Sequence, residues 1–448
     1  MSEKAESRGS WGSNLGFILA TAGSAIGLGN LWKFPYLVGK NGGGAFVIVY
    51  LFLVILLGFS LMLSEIAIGR NGKSDAYGSY EKLKKGFGFA GFLGVLACFI
   101  VYSYYTVIAG WIIKYVLVYI TGGVKGDVGT YFGGHISSVG SPIFYSGLVL
   151  IFTAFVVLKG VSGGIEKAGK ILMPALFVFL FIITIRALTL PGAMEGVKYY
   201  LEPDFSKING KVILAALGQV FFSLSLGMGA MITYGSYLDK KPNIVKNSLV
   251  VTDLDTLIAL VAGLAIIPAT IAFGHEVTAG PGLIFITLPS VFNAMPLGGI
   301  FGTIFFILVL FAAITSTISL LEVIVAFLVD QLKITRRKAT IAVTIVIFII
   351  SIFNSLSFGP LAGVTLFFGM NFFDFLCYLT DNLLLPIGGL MLCAAVGHVW
   401  KESDVIAEVT NNGEVKFKFI KLWLFVVRYI IPVVLVVLLL QAIGVISI

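Results

Sequence analysis

Two glycine-rich segments are the part of this chain best able to hold ions. Residues 23–30 read Gly-Ser-Ala-Ile-Gly-Leu-Gly-Asn, and residues 223–229 read Ser-Leu-Ser-Leu-Gly-Met-Gly. Both lie in the middle of long apolar runs. Glycine costs about 1 kcal/mol relative to alanine inside a helix, so such clusters invite unwinding. Unwound backbone at membrane depth is tolerated only where it is buried in protein or lines a cavity. There its carbonyls can hold cations and its N–H groups can hold a carboxylate. Asp255 places an acid in another apolar run, where an ionised carboxylate costs at least about 2.5 kcal/mol and so needs a cation or a proton. Thr315 and Ser316 add hydroxyls in a third run. Each feature also has a plainer reading. Gly23 and Gly27 have the spacing of closely packed helices, and Ser and Thr in apolar helices often bond back to their own backbone.

Other chemistries find little support. His135, His275 and His398 fall at loops or the ends of apolar runs and form no ligand cluster, and no nucleophile–base pair is evident, so an enzyme is not expected. Cys98, Cys377 and Cys393 all sit inside apolar runs, which implies no disulfide framework.

The elements that must position these residues follow from composition. The chain has 448 residues, 58% hydrophobic and 12% charged, against about 25% charged in ordinary globular chains. Its apolar runs are long enough to cross a bilayer as helices, and they are continuous rather than alternating, which excludes a β-barrel. Eleven spans are expected, at about 13–38, 42–69, 89–121, 142–159, 165–187, 212–238, 246–273, 299–330, 338–354, 366–398 and 419–445. A short helical hairpin over the outer face is expected at 285–292. No cleavable leader is expected, because the first residues are polar and no small-residue cleavage pattern follows the first apolar run. Twenty-one of the thirty Lys and Arg fall at the amino end and in loops after even-numbered spans. The positive-inside rule then places the amino terminus in the cytoplasm and, with an odd span count, the carboxyl terminus outside. The net charge of +8 is thus a topology signal, not a sign of nucleic-acid binding.

The two glycine clusters are five spans apart. An odd shift inverts orientation, which is the layout of two inverted repeats sharing a midplane site. The expected architecture is all-α: residues 1–187 (spans one to five), residues 188–398 (spans six to ten), and residues 399–448 holding a peripheral eleventh span.

The segment 11–35, with its GSAIGLGNLWKFP core at 23–35, resembles the first helix of the neurotransmitter:sodium symporter family. Residues 41–46 (NGGGAF) resemble the same family, and residues 218–227 (GQVFFSLSLG) resemble its sixth helix. The resemblance covers essentially the whole chain, and eleven spans match the short bacterial branch. It implies a five-plus-five inverted-repeat fold with helices one and six discontinuous. It also implies sodium-coupled import of an amino acid by alternating access.

Carried over residue by residue, the resemblance implies two Na+ sites, and sodium, a hard cation, suits such oxygen ligands. The first takes the Ala25 carbonyl, the Asn30 side chain, Ser223, Asp255 and the substrate's own carboxylate. The second takes the carbonyls of Gly23, Ile26 and Ala312 with the hydroxyls of Thr315 and Ser316. Chloride-dependent animal members resemble this site but carry a neutral Asn where Asp255 stands, which implies transport without chloride and an acid able to take up a proton when sodium leaves. The substrate carboxylate is expected at the N–H groups of Leu28 and Gly29 and the Tyr105 hydroxyl. The amine is expected at the carbonyls of Ala25, Phe222 and Ser223 and the Ser225 hydroxyl. Monoamine transporters have Asp where this chain has Gly27, so glycine leaves room for an α-amino acid carboxylate. Val101, Phe222, Met228 and Leu320 would line an uncharged side-chain pocket, implying a hydrophobic or aromatic substrate.

The family's gates map to Lys33 with Asp374 outside, over a Phe222 lid. Inside they map to Arg8 with Asp330, beside Trp11 and Tyr237. Lys33 stands where the family usually has Arg, and without a bidentate fork that gate should be looser. Gly164 and Pro174 resemble a bacterial pattern in which the inner half of span five unwinds. The expected setting is the inner cell membrane, with the lipid bilayer as surroundings and the oligomeric state open. The alternative from another class is a channel or a membrane sensor that binds an amino acid without carrying it.

Overall fold

The computed structural model describes residues 9–277 and 282–446. Among them, nine helices are long and apolar enough to cross a membrane: Gly44–Gly72, Gly88–Ile120, Gly140–Leu158, Val161–Leu188, Ile244–Ala272, Gly298–Leu332, Arg336–Leu356, Phe372–Val399 and Ile420–Ala442. A tenth span is the pair Asn14–Ala25 and Gly29–Lys40, bent by 52°. These correspond to ten of the expected spans. The expected sixth is split into Gly210–Ser223 and Ala230–Ser236.

Local sequence explains the boundaries. Ser13 caps the first helix by accepting from the Gly16 N–H. That helix stops where Ile26 turns extended (φ −67°, ψ 107°), and the chain re-enters a helix with Pro35 in its first turn. The sixth span breaks across 224–229. Gly227 and Gly229 there have φ of 81° and 74°, and Ser225 also takes a left-handed φ of 52°, which glycine tolerates and serine rarely adopts.

Burial sorts the helices into centre and rim. The third and eighth spans are 72% and 78% buried in their apolar windows, whereas the fifth and the last are 33% buried. The third and eighth pack along one another, and the eighth also packs against the first and against the inner half of the sixth, so this pair forms the wall beside the broken helices. Large apolar side chains on rim helices, such as Ile55, Ile151 and Ile185, are exposed, as surfaces that meet lipid must be.

One expectation is corrected. The segment at 285–292 is not a hairpin. It lies within one short helix, Leu283–Ala294, whose Phe285 is fully buried and stacks on Phe132 at 5.1 Å. Apolar residues at 283, 284, 285, 288, 291 and 292 give this stretch a helical stripe to bury. The inner half of the fifth span is wound rather than open. Val161–Leu188 is continuous helix containing Pro174, beginning with a wider turn over Val161–Glu166. Gly164 serves there for close approach: a Cβ on it would lie 2.0 Å from the Val156 carbonyl oxygen.

Candidate ion and substrate site

The two breaks face each other. In the first, the Gly27 N–H turns away from the helical ladder and donates to Asn30 Oδ1 at 3.0 Å. The Asn30 N–H donates to the Gly27 carbonyl at 3.2 Å. The carbonyls of Gly23 and Ile26 thus lose the helical donors four residues on, which frees them for other partners. In the sixth span, the Ser225 hydroxyl reaches across to the Ser24 carbonyl at 3.0 Å. Gln219 Nε2 donates to the Gly29 carbonyl at 3.0 Å.

A fully buried polar cluster joins the breaks to the seventh span. Asn30 Nδ2 donates to Ser223 Oγ at 2.9 Å and to Asp255 Oδ1 at 2.9 Å. The Ser223 hydroxyl donates to Asp255 Oδ2 at 2.8 Å. These are the three side chains the sequence proposed for one sodium ion, and neither Asn30 nor Asp255 is exposed. The cluster is rich in oxygen and holds one carboxyl group, which in its ionised form suits a hard monovalent cation.

The second proposed set lies where the first span touches the eighth. A Cβ on Gly23 would lie 3.1 Å from Thr315 Cβ and 3.1 Å from Met173 Sδ, so glycine lets that backbone approach. Thr315 Oγ1 donates to the carbonyls of Phe311 and Ala312, both at 3.0 Å, and Ser316 Oγ donates to Ala312 at 3.2 Å. The plainer reading of these hydroxyls therefore holds for their protons, while each oxygen keeps lone pairs to offer a cation.

Between the breaks is a cavity enclosing about 40 Å³ that a water molecule can reach. Nine of the ten expected substrate residues line it: Ala25, Leu28, Gly29, Val101, Tyr105, Phe222, Ser225, Met228 and Leu320. Ser223 belongs to the polar cluster instead. Tyr105 Oη accepts from the Leu28 N–H at 3.2 Å, so two groups expected at the carboxylate are already adjacent. Gly27 matters for space: a Cβ there would fall 2.8 Å from Ser316 Oγ and 3.0 Å from Tyr105 Oη. Ser24, Ser319 and Leu385 also line the cavity. Ser319 could have been found from its place in the Thr315–Leu320 stretch, whereas Leu385 gave no signal in sequence.

Above the cavity lies a vestibule of about 730 Å³, lined by Lys33, Lys40, Lys211, Gln219, Phe222 and Asp381 among others. Lys33 Nζ stands 3.9 Å over the Phe222 ring, which puts Phe222 beneath it as a lid. The expected partner Asp374 is corrected. Lys33 pairs with Asp381 at 3.4 Å. Asp374 sits in the first turn of its helix, capped by Asn371. Asp381 is seven residues further along, about 10 Å deeper by helical rise, and so reaches the level of the lid.

The opposite side is closed. Trp11 is buried, donates from Nε1 to the Tyr234 carbonyl at 2.9 Å, and packs edge-on against Tyr234 and Tyr237. Arg8 lies outside the described residues, while Asp330 accepts from the Asp75 N–H at 2.7 Å. Two acids missed in sequence hold this side. Glu166 accepts from the Gly12 N–H at 2.6 Å, from Ser13 Oγ at 2.8 Å and from Lys170 at 2.6 Å. Buried Glu322 accepts from the Tyr237 hydroxyl at 2.7 Å and from Arg336.

The profile of the sodium:neurotransmitter symporter family matches residues 8–125 and 131–447. The chain is 39% identical over 443 residues to the sodium-dependent transporter YhdH of Bacillus subtilis (strain 168), covering 98% of each. It is 38% identical over 458 residues to a sodium-dependent transporter of Haemophilus influenzae, again covering 98% of each. The crystal structure of MhsT in complex with L-phenylalanine superposes with a TM-score of 0.90 at 43% identity, over 97% of this chain and 100% of that one.

Proposed function

The chain belongs to the sodium:neurotransmitter symporter family, and from that premise we propose that it imports a hydrophobic or aromatic α-amino acid together with two sodium ions, without chloride. One observation carries the reading: the broken first and sixth spans enclose a single cavity, and the same broken stretches supply Asn30 and Ser223 to the buried Asp255. A substrate carboxylate between Leu28, Gly29 and Tyr105 would lie beside that cluster and add its own oxygen, so ion and substrate would bind as one unit.

The cavity wall carries no charged side chain, and Val101, Phe222, Met228, Leu320 and Leu385 form its apolar part. That favours an apolar or aromatic substrate side chain, and MhsT was solved with L-phenylalanine. The present volume of about 40 Å³ has room for only a few water molecules. Substrate entry therefore needs the lid and wall to give way, and Met228, unbranched and flexible, is the wall residue best suited to do so.

The ion at Asn30, Ser223 and Asp255 would tie span one to spans six and seven. The second, at Gly23, Ile26, Ala312, Thr315 and Ser316, would tie span one to span eight. Filling both would hold one half of the fold against the other, and release on the Trp11 side would let it rock. Moving one charge down about 100 mV yields about 2.3 kcal/mol, and a tenfold gradient about 1.4 kcal/mol. Two ions would supply about 7 kcal/mol, enough to concentrate a zwitterion. The basic loops support a cytoplasmic Trp11 side, with the chain in the cell's inner membrane and the carboxyl terminus outside.

Uptake into proteoliposomes carrying an inward sodium gradient, with a panel of labelled amino acids, tests the proposal. Leucine, phenylalanine, tyrosine or tryptophan should accumulate with sodium, and gluconate in place of chloride should leave uptake unchanged. Preference for glycine or GABA would overturn the substrate class, and binding without accumulation would favour the sensor reading.

A further inference from the structure

On the side of the bundle that carries the basic loops, spans three, eight and nine leave a lipid-facing groove of about 340 Å³. Apolar side chains alone line it, including Phe92, Phe99, Phe327, Leu328, Ala342 and Val346. It lies within the membrane-crossing helices Gly88–Ile120, Gly298–Leu332 and Arg336–Leu356, so a hydrocarbon chain is its natural occupant.

The charges at the mouth say which kind. Lys338 precedes Ala342 by four residues and Val346 by eight, so all three share one stripe of the ninth span. Lys338 and Arg337 are both exposed, whereas the neighbouring Arg336 is turned inward onto the fully buried Glu322. Lys84 and Lys85 are exposed in the turn just before the third span. The nearby acids are engaged: Glu81 accepts from the Gly86 and Gly88 N–H groups at 2.9 and 3.0 Å, and Asp330 from the Asp75 N–H. An apolar slot whose rim carries exposed Lys84, Lys85, Arg337 and Lys338 against two acids held by backbone N–H groups has a net positive rim and the complementarity of an anionic phospholipid, with acyl chain in the groove and phosphate at the rim.

We propose that this groove is a binding site for an anionic phospholipid of the leaflet on the basic side, held by Arg337 and Lys338 at its headgroup. The site backs directly on the transport machinery. Phe99 is two residues from Val101, and Ile324, which also lines the groove, is one helical turn from Leu320; Val101 and Leu320 both line the central cavity. An acyl chain wedged there would brace the wall formed by spans three and eight. The inference does not depend on the identity of the transported substrate.

Native mass spectrometry of the full-length chain, equilibrated with equal amounts of phosphatidylglycerol and phosphatidylcholine, tests it. The unaltered chain should retain phosphatidylglycerol about ten-fold or more over phosphatidylcholine, from two basic residues near the headgroup. The double variant Arg337→Gln/Lys338→Gln should lose that preference while still retaining lipid. Ala342→Phe, which fills the groove from its lipid-exposed side, should lose the retained lipid at an unchanged melting temperature, and Val346→Trp should do the same by an independent route. Equal retention of the two lipids by the unaltered chain would overturn the proposal. So would a preference that survives the double variant, or the finding that groove filling displaces a second copy of the chain rather than lipid.

Discussion

The Asn30 amide nitrogen and the Asp255 carboxylate lie 2.9 Å apart, fully buried, while the other end of the same amide holds the Gly27 N–H at 3.0 Å. The carboxylate on span seven is thereby linked through one side chain to the backbone at the break in span one. Asp255→Asn keeps the shape and removes the charge. Hydrogen bonds to charged groups are worth about 1.5–3 kcal/mol, so the half-saturating sodium concentration should rise at least about ten-fold. Uptake measured against sodium concentration checks this, and an unchanged half-saturation would remove Asp255 from the ion site.

Gly27 and Tyr105 set the room for a carboxylate. In Gly27→Ala the new methyl would lie 2.8 Å from Ser316 Oγ and 3.0 Å from Tyr105 Oη, inside normal contact. Tyr105→Phe instead removes the hydroxyl without adding bulk. Both variants should weaken amino-acid binding by about ten-fold or more, Tyr105→Phe without loss of thermal stability beyond about 1 kcal/mol. Equilibrium binding of a labelled amino acid in sodium distinguishes them from misfolded protein, because Tyr105→Phe should still saturate.

At the outer gate the two acids now make different predictions. Lys33 and Asp381 are each partly exposed, with side-chain values of 28% and 27%, so their pair is worth at most about 1 kcal/mol. Asp381→Asn should speed substrate dissociation by up to about five-fold. Asp374→Asn should leave it unchanged. If Asp374→Asn had the larger effect in a washout experiment, the pairing seen here would not be the working gate.

His135, on the short helix Val128–Ser137 outside the spans, gives a pH dependence. Burial, and secondarily the nearby Lys114 ammonium, push its pKa down from 6.5 to about 4. The folded form therefore favours neutral imidazole. Its contribution is present above the unfolded value and is lost as pH falls from about 6.5 toward 4. The melting temperature of the purified chain should fall between pH 7 and pH 5. In His135→Gln that part of the fall should disappear, and an equal fall in both proteins would show that other groups control it.

Much of this was legible in sequence because membrane physics writes strongly. Long apolar runs fixed the spans to within a few residues, except at 366–398, where the helix starts only at Phe372. There the exposed turn at 367–369 includes Phe368 at φ 60°, and apolar composition alone does not reveal a left-handed residue. The glycine clusters announced both breaks, since unwinding is a local property. Long-range pairing was harder. Asp374 and Asp381 lie on the same helix and differ by two turns of depth, which no local pattern resolves. Glu166, where the fifth span opens, and Glu322, inside the eighth, carry no local pattern that marks them, and only the partners Gly12 and Ser13 for one and Tyr237 and Arg336 for the other reveal their roles.

Glu166 gives the last prediction. Its carboxylate binds the Gly12 N–H and the Ser13 hydroxyl, where the first span begins, and sits in the wide turn that opens the fifth span. A Cβ on Gly16 would fall 2.2 Å from its carboxyl carbon, so the first span has been kept bare there to admit it. The clasp therefore joins the Trp11 plug to the stretch between Gly164 and Pro174, and opening on this side requires its release. Glu166→Gln keeps the size and weakens the charge-assisted bonds to Gly12, Ser13 and Lys170, each worth roughly twice a neutral one. The inner side should open more often. A cysteine placed at Gly12 should be labelled from that side several-fold faster in Glu166→Gln than in the Glu166 background, at matched sodium. Pro174→Ala, which restores a backbone donor and stiffens the fifth span, should act in the opposite direction and slow sodium release more than outside binding. Equal labelling rates in all three backgrounds would show that Glu166 fastens a part of the protein that does not move during transport.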